Sequence, residues 1–294
     1  MQVIRKIDKM KQEIEKIRGK KKTIGFVPTM GYLHDGHVKL IREARNSSDK
    51  VVVSIFVNPT QFGPQEDYER YPRDEKRDLR ICKNEKVDYV FIPTAKDMYP
   101  DDFETYVELS KTPNHLCGLS RPGHFKGVAT VLVKLFNIVN PHISFFGLKD
   151  FQQTVVVQKL VKDLNIGTKI KTVETVRDKD GLALSSRNSY LSDEERIKAL
   201  SIPRSLIIAK KEIENGETDA EKIKNKMKKS LEENGVKVDY VEIVDRNTLD
   251  ELKEVRIPCA VAVAGFVGKT RLIDNIIFEK KGKILNLPKI KMEV

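Results

Sequence analysis

No apolar run in the 294-residue chain approaches the roughly 20 residues that a bilayer-spanning helix needs. The lysine-rich start "MQVIRKIDKMKQEIEKIRGKKK" also lacks the uninterrupted apolar core of a secretory signal. A cytoplasmic protein without a membrane partner is expected. Cysteine is sparse: Cys82, Cys117 and Cys259 stand far apart and form no C-x-x-C pair. That excludes a zinc finger or a disulfide framework and leaves buried free thiols. Familiar nucleotide and hydrolase fingerprints are missing as well. There is no G-x-G-x-x-G and no G-x-S-x-G, and "GFVGKT" at 265 to 270 fails as a P-loop because Val263 stands where its first glycine belongs. A strand and a turn are expected there. Internal repeats and low-complexity tracts are absent too.

What is present in excess is positive charge, a formal +11. Residues 1 to 22 carry +6 and residues 279 to 294 carry +3, so the 256 residues between them hold only +2. Charge gathered at the ends reads as solvated termini and argues against a nucleic-acid groove, so no nucleic-acid partner is expected.

After an amphipathic first helix, short apolar strands alternate with helical patterns. The strands are "TIGFV" (23 to 27), "VVVSIFV" (51 to 57), "DYVFI" (88 to 92), "HISFF" (142 to 146) and "KIKTVETV" (169 to 176). Helices are expected from about 37 to 47, from about 73, and through "GVATVLVKLFNIV" and "DFQQTVVVQKLVKDL". This rhythm predicts an α/β fold, a Rossmann-like doubly wound parallel sheet over residues 1 to 176 with ligands beyond the carboxyl ends of its strands. A polar linker spans 177 to 190. Two Lys/Glu-rich helices (about 192 to 214 and 217 to 234) and the strands "VKVDYVEIV" and "CAVAVAGFVG" then predict a smaller α+β domain over 191 to 294, ending in a basic extended tail.

Four loops carry candidate chemistry. "PTMGYLHDGH" (28 to 37) joins the first strand of this series to a helix. Pro28 and Gly31 shape the turn, and Gly36 is expected to let a phosphate approach the backbone at the helix N-terminus. His34 and His37 can donate hydrogen bonds to phosphate oxygens; paired metal ligation and plain surface histidines are the competing readings. "NPTQFG" places Asn58 and Gln61 beside the histidines at the same end of the sheet, and Gln61 carries a donor and an acceptor suited to a ligand with hydroxyl and carboxylate groups, a solvated turn amide being the competing reading. In "FFGLKDFQQ", Gly147 permits close approach, Lys149 offers an ammonium, and Asp150 can cap a helix or bind a ribose; Gln153 is better placed than Gln152 to face a ligand. "GLALSSRNSYL" supplies Ser185, Ser186 and Arg187, fit to neutralise a triphosphate or to be a flexible linker.

These motifs, in order, resemble the nucleotidyltransferase superfamily through the HIGH-like H-x-G-H. With "VSIFVNPTQFGPQEDYERYPR", "RPGHFKGVATVLVKLFNIVNP", "DGLALSSRN" and "DYVEIVD" they resemble the pantothenate synthetase (pantoate–β-alanine ligase) family from about residue 22 to 278. The resemblance implies an ATP-dependent condensation of (R)-pantoate with β-alanine to pantothenate, AMP and pyrophosphate through a pantoyl adenylate. It implies Mg²⁺ with ATP and a cytoplasmic homodimer. Residues 1 to 176 would bind ATP and pantoate, 177 to 190 would form an active-site loop, and 191 to 294 a lid. ATP contacts would come from Met30, Gly31, Tyr32, Leu33, His34, Asp35, Gly36, His37, Gly147, Leu148, Lys149, Asp150, Val176, Leu184, Ser185, Ser186 and Arg187. Gln61 and Gln153 would hold the substrates, His37 would be the proton donor, and His34 and Lys149 would share the catalytic work. Leu184, Tyr32 and Leu148 depart from the family's usual residues. A nucleotidyl transfer onto a phosphomonoester uses the same H-x-G-H logic.

Overall fold

The computed structural model describes residues 1 to 64 and 66 to 288. The tail beyond Pro288 lies outside them. The chain forms two compact units. The first comprises Met1–Lys111, Arg121–Gly147 and Val156–Val173, and the second Thr112–Ser120, Leu148–Val155 and Glu174–Val294.

The first unit is built on six parallel strands: β1 (Gln2–Ile4), β2 (Ile24–Thr29), β3 (Lys50–Ile55), β4 (Tyr89–Phe91), β5 (Ile143–Gly147) and β6 (Lys169–Val173). Their spatial order is β1-β4-β3-β2-β5-β6. From β2 the chain winds outward through β3 and β4, then returns to β5 on the other side of β2. The switch point of this doubly wound sheet therefore lies at the carboxyl ends of β2 and β5. Gly25 pairs with Val51 and Val27 with Val53 in parallel register. Phe26, Val27, Val51, Val52, Val53 and Phe145 are fully buried, as strands covered on both faces must be.

Helices α1 (Ile7–Gly19), α2 (Asp35–Ser47), α3 (Glu75–Asn84), the short α4 (Ala95–Met98) and α5 (Cys117–Ser120), α6 (His124–Val139) and α7 (Phe151–Asp163) follow in chain order. On α2, Leu40, Ile41 and Ala44 form the inward stripe, packed with Val27, Val51, Val53 and Cys82. Burial and the nearby Asp78 carboxylate push the Cys82 thiol up to about 12, which leaves it an inert core group. Cys259 is buried too, whereas Cys117 is half-buried.

In the second unit an antiparallel sheet runs in the order β10-β9-β8-β7. Its strands are β7 (Lys237–Asp245), β8 (Cys259–Val267), β9 (Thr270–Lys280) and β10 (Lys283–Leu285). "GFVGKT" is the end of β8 and a two-residue turn into β9, with Gly268 at φ +56° and Val267 paired with Thr270. Helices α8 (Asp193–Ala199), α9 (Ser201–Glu214) and α10 (Ala220–Glu233) complete the unit. The single helix expected from 192 to 214 is broken at Leu200, because Pro203 cannot continue a helix and is tolerated only in the first turn of α9.

Alternation along β8 explains why it is apolar throughout. Val261 and Val263 pack with Leu206, Ile223 and Met227 of the helices. Ala260 and Ala262 turn the other way and pack with Leu148, Phe151 and Val155. That second face is why residues 148 to 155 belong to the second unit, although the βαβ pattern assigns them to the first 176 residues.

Candidate active site

The histidine loop of the first unit begins where β2 ends. Thr29 Oγ1 donates to the Ser54 carbonyl at 2.7 Å and accepts the Gly31 N–H at 3.1 Å. Gly31 takes φ +83°, and Tyr32 follows in the left-handed region at +50°. This loop is held from behind by Asp78 of α3, which is 1% exposed. Its carboxylate accepts the N–H groups of Tyr32 and Leu33, each at 2.7 Å. Burial pushes the Asp78 carboxyl above its ordinary value, while the two N–H donors work in the opposite direction.

His34 is the N-cap of α2 and shares a capping box with His37. Its Nδ1 accepts the Gly36 N–H at 3.1 Å, and His37 Nδ1 accepts the His34 N–H at 3.2 Å. An Nδ1 that accepts carries no proton, so each neutral ring bears its proton on Nε2. The loop thus sets both imidazoles as Nε2–H donors, with ring centroids 4.1 Å apart. Gly36 stands against the His34 ring. Its N–H is taken by His34, and a Cβ there would lie 2.8 Å from His34 Cε1, so this glycine makes room for the imidazole.

Gln61 closes the short 3₁₀ turn Pro59–Gln61. Its Oε1 accepts from Asn58 Nδ2 at 3.1 Å, and its Nε2 donates to Met30 Sδ at 3.1 Å, which ties it to the histidine loop. Asn58 is 1% exposed and holds the turn together. It donates to the Gly127 carbonyl and accepts from Thr60 and the Tyr99 hydroxyl. The Gln61 carbonyl receives His124 Nδ1–H at 2.9 Å, which leaves His124 Nε2 to accept from Arg121 Nη1 at 3.1 Å. Arg121 is also bidentate to Glu66, 2.7 Å on each arm. Burial raises the Glu66 carboxyl, but the Arg121 guanidinium outweighs it and holds the group below its ordinary value. Gly127 lets α6 approach the turn: a Cβ would stand 2.2 Å from the Thr60 carbonyl oxygen.

The remaining candidates lie in the second unit, apart from Gly147, which ends β5. Leu148, Lys149 and Asp150 form a 3₁₀ turn, with Lys149 Nζ 3.8 Å from Asp150 Oδ1. Gln152 is 5% exposed and spends its amide on the carbonyls of Thr112 and His115 and the N–H of Cys117. Gln153 is half-buried. Residues 176 to 184 form a hairpin: Leu184 N donates to the Val176 carbonyl at 3.0 Å, Arg177 bridges Ala183, and Gly181 turns at φ +93°. Arg196 clamps this hairpin through Asp178 and Asp180. Beyond it Ser185 caps the 3₁₀ segment Ser186–Tyr190 by accepting the Arg187 N–H.

Asp78, Arg121, His124 and Gly127 therefore support the site without having been assigned a role from sequence. "RDEKRDLR" reads as a solvated helix face, and only the fold reveals that one of its acids is buried.

The whole chain matches known proteins. The family model described as pantoate-beta-alanine ligase covers residues 2–277. A pantothenate synthetase of Thermotoga petrophila is 58% identical over 94% of this chain and 99% of its own length. The crystal structure of a pantothenate synthetase from Thermus thermophilus superposes with a TM-score of 0.90 at 40% identity, over 95% of this chain and 100% of that one. A pantoate-beta-alanine ligase from Francisella tularensis, solved in complex with β-γ ATP and β-alanine, gives 0.75 at 37% identity, over 94% and 97% of the two chains.

Proposed function

The chain belongs to the pantoate–β-alanine ligase family, and from that premise we propose which of its residues carry the reaction. It is an ATP-dependent ligase that condenses (R)-pantoate with β-alanine to pantothenate, AMP and pyrophosphate through a pantoyl adenylate, a step of pantothenate biosynthesis.

In the first half-reaction a pantoate carboxylate oxygen bonds to the α-phosphorus of ATP and the bond to the bridging oxygen breaks, releasing pyrophosphate. Negative charge builds on the phosphoryl oxygens, and no protein nucleophile is required. Positioned donors are what such a step needs. We assign that work to the Nε2–H groups of His34 and His37 as hydrogen-bond donors, His37 taking the donor role that the family resemblance implies, and to Lys149, Ser185, Ser186 and Arg187. Residues 30 to 37, Gly147, Leu148, Asp150, Val176 and Leu184 complete the ATP contacts, and Gln61 and Gln153 hold the small substrates. In the second half-reaction the neutral amine of β-alanine attacks the acyl carbon, the bond to the adenylate oxygen breaks, AMP departs and the proton lost by the amine passes to water.

The observation that carries this assignment is the capping geometry at the start of α2, in which each Nδ1 accepts a backbone N–H and the two rings stand 4.1 Å apart. Among the described residues no group of three or more His, Cys, Asp or Glu side chains is gathered to hold a metal ion. Mg²⁺ enters this proposal, on the family resemblance, as part of the MgATP substrate. A cytoplasmic homodimer is proposed on the family resemblance; among the described residues no helix is long and apolar enough to cross a membrane. The test is AMP formation from ATP, Mg²⁺, pantoate and β-alanine, with each substrate omitted in turn. Full dependence on all of them is expected, and AMP release without pantoate would refute the proposal.

A further inference from the structure

Two buried asparagines that the proposed chemistry does not use join two of its segments. Asn275, on β9, is 2% exposed, and so is Asn286. Asn275 Nδ2 donates to the Leu148 carbonyl at 3.0 Å and to the Lys149 carbonyl at 2.9 Å, so both of its protons hold the Lys149 turn. Its Oδ1 accepts from Asn286 Nδ2 at 2.8 Å. Asn286 Oδ1 in turn accepts the Thr175 N–H at 2.9 Å, just before the hairpin of 176 to 184. The Asn286 carbonyl accepts from Arg177 Nη2 at 2.6 Å, and Arg177 reaches the Gly181 carbonyl at the hairpin's turn and the buried carboxylate of Asp274.

This chain of amides has a single polarity. The Leu148 and Lys149 carbonyls only accept, so Asn275 must present its NH₂ to them. The Thr175 N–H only donates, so Asn286 must present its oxygen to it. Asn286 sits in the left-handed region at φ +60°, a conformation asparagine tolerates better than most residues.

We infer that Asn275 and Asn286 form an amide relay that fixes the Lys149 turn relative to the hairpin leading into Leu184, Ser185, Ser186 and Arg187, making both asparagines positioning residues for adenylation. The inference rests on the assignment of Lys149 to the ATP phosphates. Its consequence is energetic coupling: a change at Asn275 acts through where Lys149 stands.

The test is a double-mutant cycle of Asn275→Asp and Lys149→Ala, read as single-turnover pyrophosphate release from ATP and pantoate without β-alanine. Aspartate keeps the shape of asparagine but turns carboxylate oxygens toward two carbonyls. The expected losses are about 100-fold for Lys149→Ala and about 10-fold for Asn275→Asp at saturating ATP, and the double variant should be as slow as Lys149→Ala alone. A merely structural role would instead make the two losses multiply, which would overturn the inference, as would an Asn275→Asp enzyme at the wild-type rate beside a slow Lys149→Ala. A Lys149→Ala enzyme at the wild-type rate would remove the Lys149 assignment and the inference with it. Should Asn275→Asp fail to melt cooperatively, Asn286→Ala takes its place, with the same non-multiplying behaviour expected and multiplying losses again overturning the inference.

Discussion

Replacing Gly127 by alanine sets two effects against each other, and the geometry decides between them. In an ordinary helix interior the change would stabilise the fold by about 1 kcal/mol. Here the new methyl would lie 2.2 Å from the Thr60 carbonyl oxygen, 2.4 Å from its carbon and 2.7 Å from the Gln61 nitrogen. All three are backbone atoms, so no side-chain rotation can relieve the overlap. Against an optimum near ~3.5 Å, the turn Pro59–Gln61 or the helix must give way by about 1 Å. Overpacking of this kind costs ~1–3 kcal/mol, enough to cancel the propensity gain and leave the fold less stable. The functional cost should be larger. Asn58 bridges the Gly127 carbonyl to Gln61, and a displacement of ~1 Å at a substrate-positioning group can cost about 100-fold. The assay is steady-state kinetics with pantoate as the varied substrate, beside thermal melting. The expected result is a fall of roughly 100-fold in kcat/KM for pantoate with a lowered Tm. A Gly127→Ala enzyme with raised Tm and unchanged pantoate kinetics would refute the reasoning.

Gly147 should behave in the opposite way: no described atom lies within 4 Å of where its Cβ would stand, so Gly147→Ala should leave the Tm unchanged. If ATP is what needs the space, its KM should rise by roughly tenfold, equivalent to ~1.4 kcal/mol, and an unchanged KM would remove Gly147 from the ATP contacts. Ring ¹⁵N chemical shifts of the neutral imidazoles should report the Nε2–H tautomer for His34 and His37; an Nδ1–H form of either would contradict the capping geometry. Because the Glu66 carboxyl is held below its ordinary value in the folded protein, its contribution to stability is present above the unfolded value and is lost as pH falls through the folded one. Glu66→Gln should therefore lower stability near neutrality by about 1 kcal/mol, and should narrow its gap to wild type in acid; a pH-independent gap in chemical denaturation would count against the ion pair.

The parallel sheet was legible because strands buried on both faces are short unbroken apolar runs, as in "VVVSIFV". β1 was not, since Gln2–Ile4 is a three-residue edge strand with nothing local to mark it. The histidines, Gln61 and Lys149 stand out in the sequence as candidate chemistry because each follows a strand of that series. Their supports were not: Asp78 sits in a charged helix, and Asn275 in an apolar strand, and each acquires its role only from backbone groups 45 or more positions away in sequence. The same holds for residues 148 to 155, whose helical pattern is local but whose packing against Ala260 and Ala262 is not. At Gly36 the sequence marks a place for close approach, and in the structure the neighbouring imidazole stands 2.8 Å from where a Cβ would lie.

The central claim is that carboxylate activation precedes amide formation and is completed by donors aimed at ATP. Exchange of labelled pyrophosphate into ATP tests it most directly, with pantoate present and β-alanine left out. The account predicts exchange that requires pantoate, proceeds without β-alanine and collapses in Lys149→Ala. Exchange that needs β-alanine, or that ignores pantoate, would contradict it.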